Sequence, residues 1–226
     1  MSKYLLALSA LALFLIMPVV SSASSDKEDD ASRAQKAAQV FQEIMNAPDS
    51  IPQDVLNKAR CIAIIPGDKK FAFIFGADYG RGLAVCRTEN GWSAPLFLAV
   101  EGGSFGYQIG GSSTDLILLF MNDHALHSLL SDKFKLGGDA SVAAGPVGRN
   151  ATAGTDLKLT AEILSYSRSK GIFAGVSLDG TVVQTDKSGD EAMYGAGVSR
   201  QDVLGGSVHV PESAHALVQE LDKYSK

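Results

Sequence analysis

The sequence has no surplus of positive charge. Its 20 Lys and Arg stand against 25 Asp and Glu, a formal net charge of −5. That makes the chain a poor candidate for non-specific binding to nucleic acid and a weak one for global attraction to anionic lipid, so a lipid contact has to be local. Cysteine is scarce, with only Cys61 and Cys86. No stretch in the middle of the chain reads as a linker and no repeat of fixed period is present. A chain of 226 residues can bury a substantial core as a single domain without metals or staples. The usual catalytic signatures are missing as well. The glycines of GADYGRG (76–82) and GGSFGYQIGG (102–111) lack the Lys-Ser/Thr of a phosphate loop, and strands rather than helices follow them. There is no Gly-x-Ser-x-Gly elbow. His124 and His127 lie i, i+3 beside Asp123, but no third ligand stands at a recognisable spacing, and His209 and His215 are unpaired in pattern. A solvated helix face is the expected reading. Glu101 and Asp115 read as turn and edge residues. Neither an enzyme, nor a metal site, nor a cofactor is expected.

What the chain has in quantity is glycine, 23 residues, many within apolar runs. Glycine inside strands implies bends, bulges or close backbone approach, hence a strongly curved sheet. The N-terminus reads as a targeting segment. Lys3 gives a positive start, Leu5 to Met17 form an apolar run, and Ser21-Ser22-Ala23 is a small-residue cleavage site. A retained anchor is the competing reading, because Tyr4 to Val20 approaches spanning length; Pro18 and the small residues after it favour cleavage. No Cys stands at the cleavage point for a lipoprotein anchor. The mature protein is expected to start at Ser24, in the periplasm or secreted. Loss of residues 1–23 removes Lys3 and no acidic residue, so the net charge falls from −5 to −6. Residues 24–31, SSDKEDDA, are polar and expected to be disordered.

From residue 32 onward a single domain is expected. Ser32 and Gln35 form a capping box for a helix over 32–45, with an apolar stripe through Ala34, Ala37, Ala38, Phe41, Ile44 and Met45. A short helix is expected from 51 to 58. Strand-like runs follow at 61–66, 71–77, 82–88, 94–100, 104–110 and 114–121, with Asn90-Gly91 the strongest hairpin signal. FAFIF and LILLF are apolar on both faces and should be buried. A helix is predicted over 123–134, a hairpin and short strand over 156–186, one helical turn at 199–204, and a terminal helix after Pro211. Each cysteine lies in a strand-like run. If the two runs are neighbours the pair can close, and if a third strand separates them it cannot; with export, we expect a bond.

The run 161–180, AEILSYSRSKGIFAGVSLDG, holds two strands joined by a basic turn, Ser167 to Gly171. Along the first strand the alternation inverts after Ile163, which suggests a bulge or a change of packing partner. The string SYSRSKGIFAGVSLDG closely resembles the signature of the SYLF domain, a lipid-binding family with endocytic and exported bacterial members. CIAIIP (61–66), GRGLAVCR (80–87), GWSAP (91–95), EGGSFGYQIGG (101–111), TDLILLFMN (114–122) and LGGDASVAAGPVGR (136–149) carry the resemblance over most of the remaining chain. It implies a non-enzymatic module binding lipid or a membrane surface of the cell envelope, anionic phospholipid being the suspected partner. The alternative is a structural or protein-interaction component of the envelope. The family also bundles actin, which an exported protein would not meet. Lys69, Lys70, Arg81, Arg87, Arg149, Arg168 and Lys170 all fall at strand ends or turns and are the candidate lipid-binding residues. They could equally guard strand edges. The helix 32–45 carries only Arg33 and Lys36 as cations, too few for a strong interfacial helix, so packing on the sheet is its expected use. The fold expected is α+β, a strongly curved, mainly antiparallel sheet or partly closed barrel, with helices at both ends of the chain.

Overall fold

The computed structural model describes residues 21–67, 78–102, 114–148, 160–169 and 171–225. Most of the targeting segment and the strands expected at 71–77 and 104–110 lie outside the described residues. Two helices come first, α1 (Ser21–Met45) and α2 (Gln53–Lys58). The sheet is built from β1 (Cys61–Ile65), β2 (Asp78–Thr88), β3 (Gly91–Trp92), β4 (Leu96–Gly102), β5 (Thr114–Phe120), β6 (Lys133–Lys135), β7 (Val142–Ala144), β8 (Ile163–Ser169), β9 (Ile172–Gly175) and β10 (Val182–Thr185). The remaining helices are α3 (Asp123–Leu130), α4 (Lys187–Tyr194), α5 (Arg200–Leu204) and, after a 3₁₀ turn at Glu212–Ala214, α6 (His215–Tyr224). Strand order is β6-β10-β4-β2-β1-β5-β8-β7, with β3 on β2 and β9 on β8. The sheet curls strongly into a half-barrel. Among the described strands only β7 and β8 run parallel.

Strand alternation explains why this sheet carries a core on each face. Ile62, Ile64, Leu83, Val85, Ile117, Leu119, Leu164 and Tyr166 turn to one side, under Phe41 and Ile44 of α1, Leu56 of α2 and Leu217 of α6. Cys61, Ala63, Ile65, Ala84, Leu116, Leu118 and Phe120 turn to the other, under Leu129 of α3 and Leu204 of α5. LILLF is therefore buried on both faces, as its composition predicts.

Several local expectations differ from what is found. The acidic run 24–31 lies within α1, and Asp30 is 1 % exposed. The helix predicted to reach residue 134 stops at Leu130; Phe134 sits on β6 and meets Phe120 edge to face at 6.2 Å. A core-facing ring between two exposed lysines is a strand pattern, which outweighs helix propensity over so short a run. The inversion at Ile163 is the start of β8, not a bulge. Ile163 and Leu164 are both buried, one in each core. β7 and α4 were not anticipated. α4 begins where the Asp186 side chain accepts from the Gly189 N–H.

Cys61 and Cys86 are disulfide-bonded, with Cα atoms 4.0 Å apart. They face each other across β1 and β2, which are neighbours in the sheet. The Arg87 N–H donates to the Arg60 carbonyl at 2.8 Å. The cysteines thus occupy a non-hydrogen-bonded pair, where opposite side chains approach most closely.

Candidate functional site

One end of the half-barrel gathers the strand ends bordering the family signature. Across it Asp78 pairs with Gly102, and Thr114 with Ser169. The Gly67 N–H donates to Asp115 at 2.8 Å. Arg81 and Arg168 both reach this end, and both lie in phase with residues of the α1 face, Arg81 with Leu83 and Arg168 with Tyr166. Arg168 reaches Glu43 of α1, and Arg81 reaches the Asp186 carboxylate that Arg33 of α1 also binds.

Arg168 was expected on the turn, but β8 continues through Ser169 and places it on the strand, opposite Asp115 of β5. Its Nε donates to Asp115 at 2.8 Å, Nη2 lies 2.7 Å from the same carboxylate, and Nη1 donates to Glu43 of α1. Burial works against the guanidinium charge, but hydrogen bonds to Glu43 and Asp115 outweigh it and hold the Arg168 pKa above its ordinary value. Arg168 thus clamps α1, β5 and β8 together. Arg168→Ala is expected to lower stability by about 2 kcal/mol, because it strands a half-buried Asp115. Thermal melting at pH 7 checks this; an unchanged melting temperature would show the clamp to be idle.

Arg81 donates to Asp186 from Nε at 3.1 Å and from Nη2 at 2.5 Å. Arg33 of α1 reaches the same oxygen at 3.0 Å and also pairs with Asp30 at 2.6 Å. Burial alone would raise the Asp186 pKa; hydrogen bonds from Ser188 and Arg81, with the charges of Arg81 and Arg33, outweigh it and hold it at about 2. Arg87 lies towards the opposite end of β2, over the Trp92 ring at 4.6 Å. It donates to the carbonyls of Ala59 and Leu56, closing the C-terminus of α2. Burial lowers its pKa, against the charge of Asp222. Lys69, Lys70, Arg149 and Lys170 lie outside the described residues.

Asp30, Arg33, Asp186 and Asp190 were not singled out from the sequence. A signal for the first two existed. The stripe Ala34, Ala37, Phe41 extended backwards by helical steps falls on Asp30 and Arg33, so the buried face of α1 runs into charge. Asp186 and Asp190 carry no comparable mark.

The hairpin of β8 and β9 closes the same end. Tyr166 is fully buried and stacks on Phe173 with centroids 5.4 Å apart and planes 6° from parallel. Gly145 packs against the Tyr166 ring; a Cβ there would overlap it. Burial pushes the Tyr166 hydroxyl pKa well above its ordinary value, further from the range in which it could act as an acid or base at neutral pH. At the tip, Gly171 adopts φ +81° with open space around it, and the Ile172 side chain is 72 % exposed. It is the large hydrophobic residue exposed to solvent among the described residues. Elsewhere His124 pairs with Glu162 at 2.6 Å. Among the described residues no group of three or more His, Cys, Asp or Glu is placed to hold a metal.

Residues 101–224, more than half the chain, match the Ysc84 family, described as "Las17-binding protein actin regulator". The chain belongs to the Ysc84 family. This agrees with the SYLF resemblance carried by the sequence blocks. The human SH3 domain-containing YSC84-like protein 1 is 33% identical over 207 residues, covering 89% of this chain and 60% of the relative. Protein YSC84 of Saccharomyces cerevisiae is 33% identical over 201 residues, covering 84% and 43%. LAS seventeen-binding protein 3 of the same species is 32% identical over 201 residues, covering 84% and 44%. The chain thus spans about 60% of the length of the human relative and less than half of the yeast ones. Those names speak of an SH3 domain and of binding to LAS seventeen.

Proposed function

We propose that this Ysc84-family chain is a non-enzymatic module that binds an anionic membrane surface of the cell envelope. In this reading it is exported after cleavage near Ala23, to the periplasm or the exterior. The contact lies at the tip of the β8–β9 hairpin. The observation that carries the reading is Ile172, 72 % exposed and two positions beyond Lys170. An apolar side chain able to enter the head-group layer, next to a cation that can pair with lipid phosphate, is the minimum of a peripheral contact. Lys69 and Lys70 follow in the chain directly after Gly67 and Asp68, and the Gly67 N–H donates to the Asp115 that holds Arg168. Arg81, Arg87 and Arg168 are committed to internal partners and are assigned structural roles.

A second reading, docking of a protein partner, draws on the relatives' names, which speak of Las17 binding and actin regulation. In an exported protein that partner would not be cytoplasmic actin.

Co-sedimentation with phosphatidylglycerol and phosphatidylcholine vesicles separates the two. The lipid reading expects binding to the anionic vesicles only, weakening with salt. Lys170→Glu combined with Ile172→Ser should weaken it about tenfold or more at unchanged melting temperature, each surface cation contributing about 1 kcal/mol. Equal binding by wild type and variant would remove the hairpin tip from the contact, and a wild type that sediments with neither vesicle would leave protein docking as the function.

A further inference from the structure

The front half of α1 is attached differently from the back half. Towards its C-terminus, Phe41 and Ile44 enter the core as large apolar side chains. Ahead of them the docked face consists of Ala34, Ala37 and Ala38, then Arg33 and Asp30. Alanine buries little apolar area, so charge has to hold this part of the helix. The charged set is buried and mixed. Arg33 joins Asp30 to Asp186, Arg81 of β2 joins Asp186 from the sheet, and the Arg33 guanidinium lies 5.2 Å over the Phe97 ring of β4.

Asp190 lies one turn into α4, directly behind this set. It is 5 % exposed, and its Oδ1 accepts the Phe97 N–H at 2.8 Å. The neighbouring Gly189 packs so tightly that a Cβ would come within 3.0 Å of both Asp30 Oδ2 and Phe97 Cβ. The charged groups acting on Asp190 are Asp186 at the cap of α4, Asp30 from α1 and Arg200 from α5, with Tyr194 on α4 itself beside it; Arg33 from α1 and Arg81 from β2 stand on the far side of Asp30 and Asp186 as their partners. Arg200 is bound to Asp132 and to the Leu130 carbonyl, and the Tyr194 hydroxyl donates to the Pro95 carbonyl. The nearest charges of like sign, Asp186 and Asp30, sit in the same buried space.

We propose that Asp190 is a proton-operated latch for the front half of α1. While Asp190 carries a proton, the Asp30–Arg33–Asp186–Arg81 lattice closes and the helix lies on α4 and the sheet. When Asp190 ionises, a third carboxylate charge in that space loosens α4 and the helix lifts from about residue 34 forward, with Phe41 and Ile44 holding the rest. The Asp190 pKa stands at about 7, raised by burial against the Phe97 hydrogen bond, with Asp186 and Asp30 adding to the rise. A folded-state value above the ordinary one means that the docked state is favoured fully below about pH 4. That preference is lost as pH rises towards 7, with no further loss beyond. Asp186, held at about 2, stays ionised across the window.

The test is amide hydrogen exchange on the full mature chain, expressed as protection factors so that the intrinsic pH dependence is removed. Between pH 5 and pH 7 the amides of residues 27–34 should lose protection by tenfold or more, up to about fiftyfold. Those of α6 should stay unchanged. Asp190→Asn keeps the acceptor for Phe97 and cannot ionise, so its α1 protection should be flat over the same range. An equal slope in Asp190→Asn, a flat wild type, or a parallel loss in α6 each overturns the latch. Carboxyl-carbon NMR of wild-type Asp190 gives an answer independent of the variant: a midpoint near 7 supports the latch and one near 4 rejects it.

Discussion

Gly82→Val is expected to cost at least about 3 kcal/mol and to turn soluble expression into aggregation. Gly82 stands in the middle of β2, opposite Leu98 of β4 and beside the end of β1. A Cβ at this position would fall on the Ile64 carbonyl oxygen, 2.8 Å from Ile65 Cγ1 and 2.9 Å from Ile65 Cα. Two of those three atoms are backbone and cannot move without opening β1 from β2. Gly80 provides the contrast. Its Cβ would meet only Ile65 Cγ2, at 2.7 Å, a side-chain terminus that can rotate. Gly80→Ala should cost about 1–2 kcal/mol. Urea denaturation of the two variants ranks them. Equal midpoints would show that the close approach at Gly82 is not what lets the half-barrel curl.

Loss of the Cys61–Cys86 bond should rank next. Closing a loop of 25 residues removes enough unfolded-chain entropy for about 3–4 kcal/mol in the chain-entropy model. In a protein of this size that corresponds to a melting temperature lower by about 10 °C. Thiol titration of the denatured, unreduced protein should find no free thiol, and the double Cys→Ala variant should show the full loss. The bond ties together the two strands from which β4 and β5 extend outwards on either side, and both sulfurs lie in a core. Two free thiols in native protein would rule this out.

Much of the fold was legible because its signals are local. Period-two alternation, the Asn90-Gly91 turn, the two-faced apolar strand LILLF and the alanine stripe of α1 each act over a few residues. The glycines within apolar runs pointed to curvature, and Gly82 shows why: the bend brings β1 backbone to where a side chain would stand. The errors were also local. Where a strand is covered on both faces, as at Ile163 and Leu164, alternation no longer tells inside from outside. A three-residue strand such as Lys133–Lys135 cannot outweigh a helical pattern in the sequence.

The site was less legible. Seven cations were chosen because turns and strand ends expose side chains. Three of them have internal partners: Arg168 ties α1 to the sheet, Arg81 shares the Asp186 carboxylate with Arg33 of α1, and Arg87 donates to the carbonyls at the end of α2. The sequence marks where a cation stands, not which carboxylate a folded helix will lay across it.

By itself, then, the sequence determined the family, the fold class, the curvature and the possibility of the disulfide. All of these are written in short-range patterns or in the order of the family-like blocks along the chain. Only the tertiary structure decided that β1 and β2 are neighbours, so that the cysteines meet. It likewise decided that Arg33 meets Asp186 across 153 residues of sequence, and that Asp190 is sealed behind them. Coulomb energy and desolvation depend on distance in space and on what excludes water, and neither is a property of any window of the chain.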